Sequence, residues 1–168
     1  MAARSYPKPV AESPAHKSSR SSRRTSPSRI IRPRTLGASL GLNASNTHDL
    51  IHQLNHGFSF KTLLDFASNS GIAVSVITSI VGIPERTLAR RKAATKLTTP
   101  ESERLLRLST VFDKAVELFE GDTAGAVKWL TAPKKALNNL SPLTYCRTEL
   151  GAREVENLIG RLEHGVFS

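Results

Sequence analysis

The sequence predicts an all-α fold, and three observations support this prediction. Apolar residues recur at helical spacing, most clearly over residues 105–119, where successive apolar positions are three or four residues apart. Asn, Ser, Thr or Asp precedes most of the apolar segments and Gly follows most of them, which is the pattern of helix caps. No two segments show the alternation of apolar and polar residues that is expected of paired strands.

Cap residues define the first two predicted helices. Asn46 or Thr47 caps a helix that Gly57 ends, because a polar N-cap accepts a backbone hydrogen bond and glycine tolerates the positive φ of a helix end. Ser59 caps the second helix, and Gly71 follows it. The apolar face of this second helix is predicted to comprise Phe60, Leu63, Leu64 and Ala67.

Residues 73–81 present a conflict between intrinsic preference and context. They are rich in Val and Ile, which favour strands. Every neighbouring segment is helical and no partner strand is evident, so a short helix is predicted. Gly82-Ile83-Pro84 then forms a tight turn, with Pro84 at the first helical position, and a helix over residues 85–92 follows.

Four more helices are predicted in the C-terminal half. The first is capped by Thr99-Pro100 and runs to about Glu120, and its apolar seam suits either an intramolecular core or a dimer interface. The seam residues are Leu105, Leu108, Phe112, Ala115 and Phe119. The next three helices begin at polar N-caps, which are Asp122, Ser141 and Thr148. The last helix ends at Gly165 and carries the apolar stripe Val155, Leu158, Ile159 and Leu162.

Two aromatic residues in this half are candidates for either the core or an interface. For Trp129, burial in the core is favoured, because Trp is highly buried on average. Tyr145 is left open between the two roles. The charged residues nearby are expected to form a solvated, salt-bridged surface, and they are Arg147, Glu149, Arg153, Glu156 and Arg161.

The charge of the chain is unevenly distributed. The 168 residues carry a formal net charge of +10, of which residues 1–34 contribute +8, from nine basic residues and one acidic residue. This segment has few bulky apolar groups and is predicted to be disordered. We therefore expect a basic tail and linker over residues 1–45, a helix-turn-helix region over 46–98 and a small helical domain over 99–168. Clustered Lys and Arg suit a nucleic-acid partner.

Residues 73–92 have the order of a DNA-binding helix-turn-helix, whose second helix enters the major groove. On that second helix, basic and polar residues four apart share one face. Arg side chains on such a face can pair with guanine or bind phosphate. The alternative is an ordinary solvated basic helix, because the spacing of the motif is loose. The candidate DNA-binding residues are Arg86, Thr87, Arg90, Arg91 and Lys92.

No pattern in the sequence indicates catalysis, a cofactor or a metal site. His48, His52 and His56 are four residues apart, but the further ligand of a zinc site is not evident, so surface positions are favoured. Cys146 is the only cysteine, which excludes an internal disulfide and is compatible with a reducing compartment. No apolar run approaches the ~18 residues of a membrane span, and a signal-peptide core is lacking. A cytoplasmic protein that is not an enzyme is predicted.

The C-terminal half carries a more specific pattern of ordered motifs. These motifs are RTLARR (86–91), ESERLLRL (101–108), WLTAPKKAL (129–137), SPL (141–143) and TELGAREVENLIGRLEHGVFS (148–168). Together they resemble the Xre/MbcA/ParS family of antitoxins, over about residues 46–168. The chain departs from the family at Asn138-Asn139, where a Gly pair is typical. Because Asn tolerates positive φ, the turn is expected to persist.

The resemblance implies a function. The partner would be a RES-domain toxin that acts on NAD, and the protein would neutralise this toxin and repress its own operon by binding operator DNA, as a homodimer within the complex. It also implies that the C-terminal end reaches the entrance of the toxin's active site. The residues concerned are Glu163, His164, Gly165, Val166, Phe167 and Ser168.

Two alternatives remain at this point. An apolar group beyond a glycine can plug a cleft, but Phe167 could instead fold back onto its own domain. The protein could also be a stand-alone helix-turn-helix regulator, or a structural module, without a toxin partner. A toxin gene directly beside the gene for this chain would favour the antitoxin.

Overall fold

The computed structural model describes residues 37–44 and 46–165, and this part of the chain is helical, as predicted. It contains eight α-helices and two short 3-10 helices, and no β-strand occurs in it. The α-helices are α1 (Thr47–His56), α2 (Phe60–Ser70), α3 (Val74–Val81), α4 (Glu85–Ala93), α5 (Thr99–Leu118), α6 (Thr123–Thr131), α7 (Pro142–Tyr145) and α8 (Glu149–Glu163). The 3-10 helices are Ala38–Leu40 and Lys135–Leu137. The basic tail predicted for residues 1–34 and the residues Val166, Phe167 and Ser168 lie outside the described residues.

Helix α5 lies at the centre of the fold, where it contacts α1, α2, α3, α6 and α8. Four of its five seam residues are fully buried, and Phe119 is half-buried. The ring of Phe112 meets that of Phe66 edge to face, with the centroids 5.5 Å apart. Fully burying a large apolar side chain contributes about 1.5–3 kcal/mol. The seam is therefore the intramolecular core and not an exposed dimer interface.

Side-chain caps fix where most of the helices begin. Asn46 accepts a hydrogen bond from the backbone N–H of Asp49 at 2.9 Å, and Ser59 accepts one from that of Lys61 at 3.2 Å. The predicted caps of α6, α7 and α8 do the same, and they are Asp122, Ser141 and Thr148. These starts were predictable because the cap and its donor are only two or three residues apart in the chain.

Two predicted helix starts differ by one residue from the observed ones. Helix α5 is capped by Thr98 rather than by Thr99-Pro100, because the Glu101 carboxylate accepts a hydrogen bond from the Thr98 backbone N–H at 2.8 Å. Pro84 is the N-cap of α4 and not its first helical residue, and its extended backbone has ψ 147°.

The buried face of α2 is rotated from the predicted one. Phe60 and Leu63 are buried as expected, but Leu64 is 42% exposed. Phe66, which the predicted face omitted, is fully buried. The reason is that α2 packs against both α5 and the first 3-10 helix, and Phe66 is the residue that meets Phe112 on α5.

Residues 74–81 are helical despite their preference for strand, as predicted. Ile77, Ile80 and Val81 are buried on the core side of α3, so tertiary burial outweighs the cost of β-branched residues in a helix. The turn at Asn138-Asn139 also forms as predicted, and both residues have positive φ, of 53° and 59°.

Gly151 allows the start of α8 to pack closely on the end of α7. A Cβ atom built on Gly151 would lie 2.0 Å from the backbone oxygen of Tyr145, which no side chain can tolerate without movement of the backbone. Gly160, on the same helix, has no atom within 4 Å of the corresponding position. The two glycines therefore form a natural pair for measuring the effect of this contact.

We expect Gly151→Ala to lower the free energy of unfolding by about 1–3 kcal/mol, because the added methyl group overpacks the contact between α7 and α8. Gly160→Ala is expected to raise it by about 0.5–1 kcal/mol, because Ala favours a helix interior. Urea denaturation followed by circular dichroism measures both values. Equal effects of the two substitutions would show that the close approach at Gly151 is not the cause.

Candidate DNA-binding and partner-binding surfaces

The turn between α3 and α4 has a fixed geometry. Gly82 ends α3 with φ 78°, and the backbone N–H of Ile83 donates to the carbonyl oxygen of Thr78 at 2.8 Å. Ile83 is buried, which ties the turn to the core. From α5, Arg104 Nη1 donates to the carbonyl oxygen of Val81 at 3.1 Å and satisfies an acceptor at the end of α3. The relative arrangement of α3 and α4 is thus set by the core and by α5.

Helix α4 has no buried residue and depends on two attachments. Leu88 packs against the hydrophobic core. Arg91 Nε lies 2.9 and 2.8 Å from the two carboxylate oxygens of Glu101 on α5, and the Arg91 and Glu101 side chains are only 17% and 8% exposed. Burial alone would raise the pKa of Glu101, but hydrogen bonds from Thr98 and Arg91 outweigh it and hold the pKa below 4.5. The ion pair therefore anchors α4 to α5.

The five candidate DNA-binding residues do not share one free face. Arg86, Arg90 and Lys92 are exposed, and Thr87 is half-buried. Arg91 is engaged with Glu101 inside the fold, so its guanidinium supports the helix instead of pointing freely to solvent with Arg86 and Arg90. Sequence reasoning missed this because Glu101 lies ten positions further along the chain, beyond any helical spacing.

Glu101→Gln is expected to lower the free energy of unfolding by about 3 kcal/mol at pH 7, because it leaves the Arg91 guanidinium largely buried beside a neutral group. Since the folded-state pKa of Glu101 is lowered, its stabilisation is complete above the ordinary pKa and is lost as the pH falls through the folded-state value. The difference from wild type, measured by urea denaturation, should therefore shrink as the pH falls below about 4.

The matched control for this measurement is Glu103→Gln, which removes an exposed carboxylate from the same helix. It should change stability by less than about 0.5 kcal/mol. If the two variants have the same stability at pH 7, the pair between Arg91 and Glu101 does not anchor α4.

Helix α8 is held along α5 by apolar and ionic contacts. Val155 and Ile159 are buried, whereas Leu158 and Leu162 of the predicted stripe are half-buried. Two ion pairs join the helices at their charged margins, Arg107 with Glu149 and Lys114 with Glu156. Because α5 also contacts α3, the two halves of the described chain share one continuous core.

The segment predicted to bind a partner begins where α8 ends. Glu163, His164 and Gly165 are exposed, and Gly165 has φ 65°, a value that favours glycine. The remaining candidates, Val166, Phe167 and Ser168, lie outside the described residues. The first three candidates therefore lie together at the end of α8, where they are exposed to solvent.

Aromatic and apolar groups add to the surface of the C-terminal half. Trp129 packs against the hydrophobic core and lies 6.4 Å from the ring of Phe119, but it remains half-buried, with Lys134 Nζ 5.1 Å from its ring. Leu150 is 77% exposed and lines a shallow groove with Tyr145. Leu150 was not among the predicted site residues, because it lies outside the apolar stripe of α8.

The structure also places the histidines and the cysteine that were considered as metal or catalytic candidates. His52 and His56 stack on each other, with centroids 4.3 Å apart, and no group of three potential metal ligands occurs within residues 37–44 and 46–165. Cys146 is buried, and burial raises the pKa of its thiol to about 12, so the reactive thiolate does not form at neutral pH. None of the described helices is long and apolar enough to cross a membrane.

Comparison with known proteins matches two family models to the chain. Residues 49–109 match the antitoxin Xre-like helix-turn-helix domain, and residues 114–165 match the antitoxin Xre/MbcA/ParS C-terminal toxin-binding domain. The first model runs from α1 into α5 and so includes the turn at Gly82, and the second runs from the end of α5 through α8. The order of the two models is the order predicted from the motifs.

Three curated relatives support the same assignment, and each is named Antitoxin Xre. The protein of Yersinia enterocolitica is 41% identical over 143 residues, which cover 84% of this chain and 97% of the relative. That of Photorhabdus laumondii is 37% identical over 144 residues, with the same coverage, and that of Pseudomonas putida is 33% identical over 84 residues, about half of each chain. With such identity over nearly the full length of two relatives, the chain belongs to the Xre family of antitoxins.

Proposed function

We propose that this protein is the antitoxin of a type II toxin–antitoxin pair, that its partner is a RES-type toxin, and that it blocks the access of NAD to the toxin's active site. The observation that carries the proposal is the match of residues 114–165 to a toxin-binding domain, together with relatives that are named antitoxins. The protein acts by binding and performs no chemistry itself. The partner and its substrate would meet it in the cytoplasm.

The exposed end of α8 supports occlusion as the mechanism. Residues 163–165 stand free of the core, and the sequence continues with Val166 and Phe167. A large apolar side chain gains free energy when it leaves water for a cleft, and aromatic residues are common anchors at protein interfaces. The exposed Leu150 offers a second apolar contact on the same helix.

Binding to operator DNA is the second part of the proposal. Arg86 and Arg90 are exposed on α4, which follows the fixed turn, and their guanidinium groups have no acidic partner among the described residues. Such groups can contact guanine or phosphate when the second helix enters the major groove. Two copies of the protein would match an operator with two half-sites, so we also propose that it binds DNA as a dimer.

Co-expression of this chain with the product of the neighbouring gene tests directly whether that product is the partner. A tagged form of the full chain is purified in the presence of that neighbouring protein, and the complex is examined by size-exclusion chromatography. The two proteins should co-elute at a fixed ratio. Failure to co-elute, combined with specific binding to the chain's own promoter region, would instead favour a stand-alone DNA-binding regulator.

A further inference from the structure

The side chain of Arg147, in the C-terminal domain, contacts the first helix of the helix-turn-helix. It follows α7, yet its Nη2 atom donates to the carbonyl oxygen of Ser79 at 3.2 Å and lies 3.3 Å from the Ser79 hydroxyl. Ser79 is 68 positions earlier in the chain, on α3. Arg147 was expected to belong to a salt-bridged surface, but no ion pair of Arg147 occurs among the described residues. No carboxylate of the described residues therefore pairs with its charge.

Polar and apolar side chains together form the surface beside Arg147 along α3. Two open grooves, of about 550 and 390 Å³, flank the exposed face of α3, and Arg147 lines both of them. Ser75 and Ser79 also line both, so two hydroxyl groups and one guanidinium face the same surface. Glu85 lines the first groove from α4 and makes no ion pair with Arg147.

The position of this surface relative to bound DNA follows from the geometry of the motif. When the second helix of a helix-turn-helix enters the major groove, the first helix crosses the DNA backbone. Here the first helix is α3, and Arg147 lies on its exposed face near the turn. Arginine and serine side chains are common donors to phosphate oxygens.

We propose that Arg147 is a phosphate contact, so that the C-terminal domain contributes directly to DNA binding beside α3. The proposal rests on the proposed DNA-binding function of α4. Arg147 would bind the backbone without reading sequence, since a phosphate contact carries no base information. The hydroxyl groups of Ser75 and Ser79 are placed to donate to the same phosphate or its neighbour.

The test is a binding titration of the full chain on two labelled duplexes of equal length, one from the promoter region upstream of its gene and one of random sequence. Each is measured at several salt concentrations for wild type, Arg147→Gln and Arg147→Lys. For Arg147→Gln we expect several-fold weaker binding to both duplexes and a salt slope smaller by about 0.9, the value for one phosphate contact. Arg147→Lys should restore most of the slope, because it keeps the charge.

Two controls separate this role from others. Arg161→Gln removes a positive charge from the far end of α8 and should leave the salt slope unchanged. The circular dichroism spectrum of Arg147→Gln should match that of wild type, because the replaced side chain is exposed and lies outside the core.

The outcomes distinguish the phosphate contact of Arg147 from the proposed binding of DNA by α4. Unchanged affinity and slope in Arg147→Gln, with Arg86 and Arg90 still required, would overturn the phosphate contact alone. Weaker binding with an unchanged slope, which Arg147→Lys does not restore, would mean that Arg147 only positions α3, and would also overturn it. A wild-type chain that binds neither duplex would contradict DNA binding as a whole.

Discussion

Deletion of Val166–Ser168 is expected to abolish protection against the toxin while leaving the helical fold intact. None of the core residues of the described chain lies beyond Ile159, and α8 is already held on α5 by two ion pairs. The circular dichroism spectrum and the urea midpoint of the truncated protein should therefore match those of wild type. Growth of cells that express the toxin together with the truncated chain measures protection.

Phe167→Ala refines this prediction to one side chain. A buried aromatic anchor contributes about 2 kcal/mol or more to an interface, so the dissociation constant should rise by about 30-fold or more. Ile51→Ala is the matched control, since it removes an exposed apolar side chain from α1, in the other half of the chain. If the truncated protein protects as well as the full chain, the plugging of the active site by this segment is wrong.

The double substitution of Arg86 and Arg90 by Ala is expected to abolish specific binding to the operator. Neutralisation of the toxin should not change. Each bidentate contact of Arg with a base contributes about 1–3 kcal/mol of discrimination, so two independent contacts together account for about 30-fold or more in affinity. Both side chains are exposed and neither contacts the core, so the fold should not change. The measurement compares the binding of wild type and of the double variant to a promoter duplex and to a random duplex.

A control for charge is needed, because removing two arginines weakens binding to any DNA. Arg153→Ala with Arg161→Ala removes the same charge from exposed positions on α8. This second pair should reduce affinity for both duplexes by similar, small factors and preserve the preference for the promoter fragment. Unchanged preference in the Arg86 and Arg90 variant would show that α4 does not read DNA.

Local signals explain why the helix bounds were predictable and some side-chain roles were not. A cap such as Asn46 bonds to a backbone N–H three residues away, so it can be judged from the sequence. The positive φ at Asn138 was expected because an Asn pair stands where the family that the chain resembles typically has a Gly pair. The choice between Leu64 and Phe66 could not, because several apolar residues on α2 allow more than one buried face. Only the packing of Phe66 on Phe112 decides between them.

Contacts between distant residues account for what was missed at the candidate sites. The engagement of Arg91 depends on Glu101, and that of Arg147 depends on Ser79, 68 positions away. No periodicity in the sequence joins such pairs. The toxin-binding role was predicted from the resemblance of the motifs to a known family, and the physical pattern of the residues alone indicated only an amphipathic helix with an apolar segment after it.

Inhibition of the toxin can be measured from the consumption of NAD by the purified neighbouring protein, followed as increasing amounts of the full chain are added. We expect the neighbouring protein to consume NAD, and consumption to stop once the chain reaches a fixed molar ratio to it. The chain lacking Val166–Ser168 should leave consumption largely undiminished. Continued loss of NAD in the presence of excess full-length chain would show that the chain does not occlude the toxin's active site.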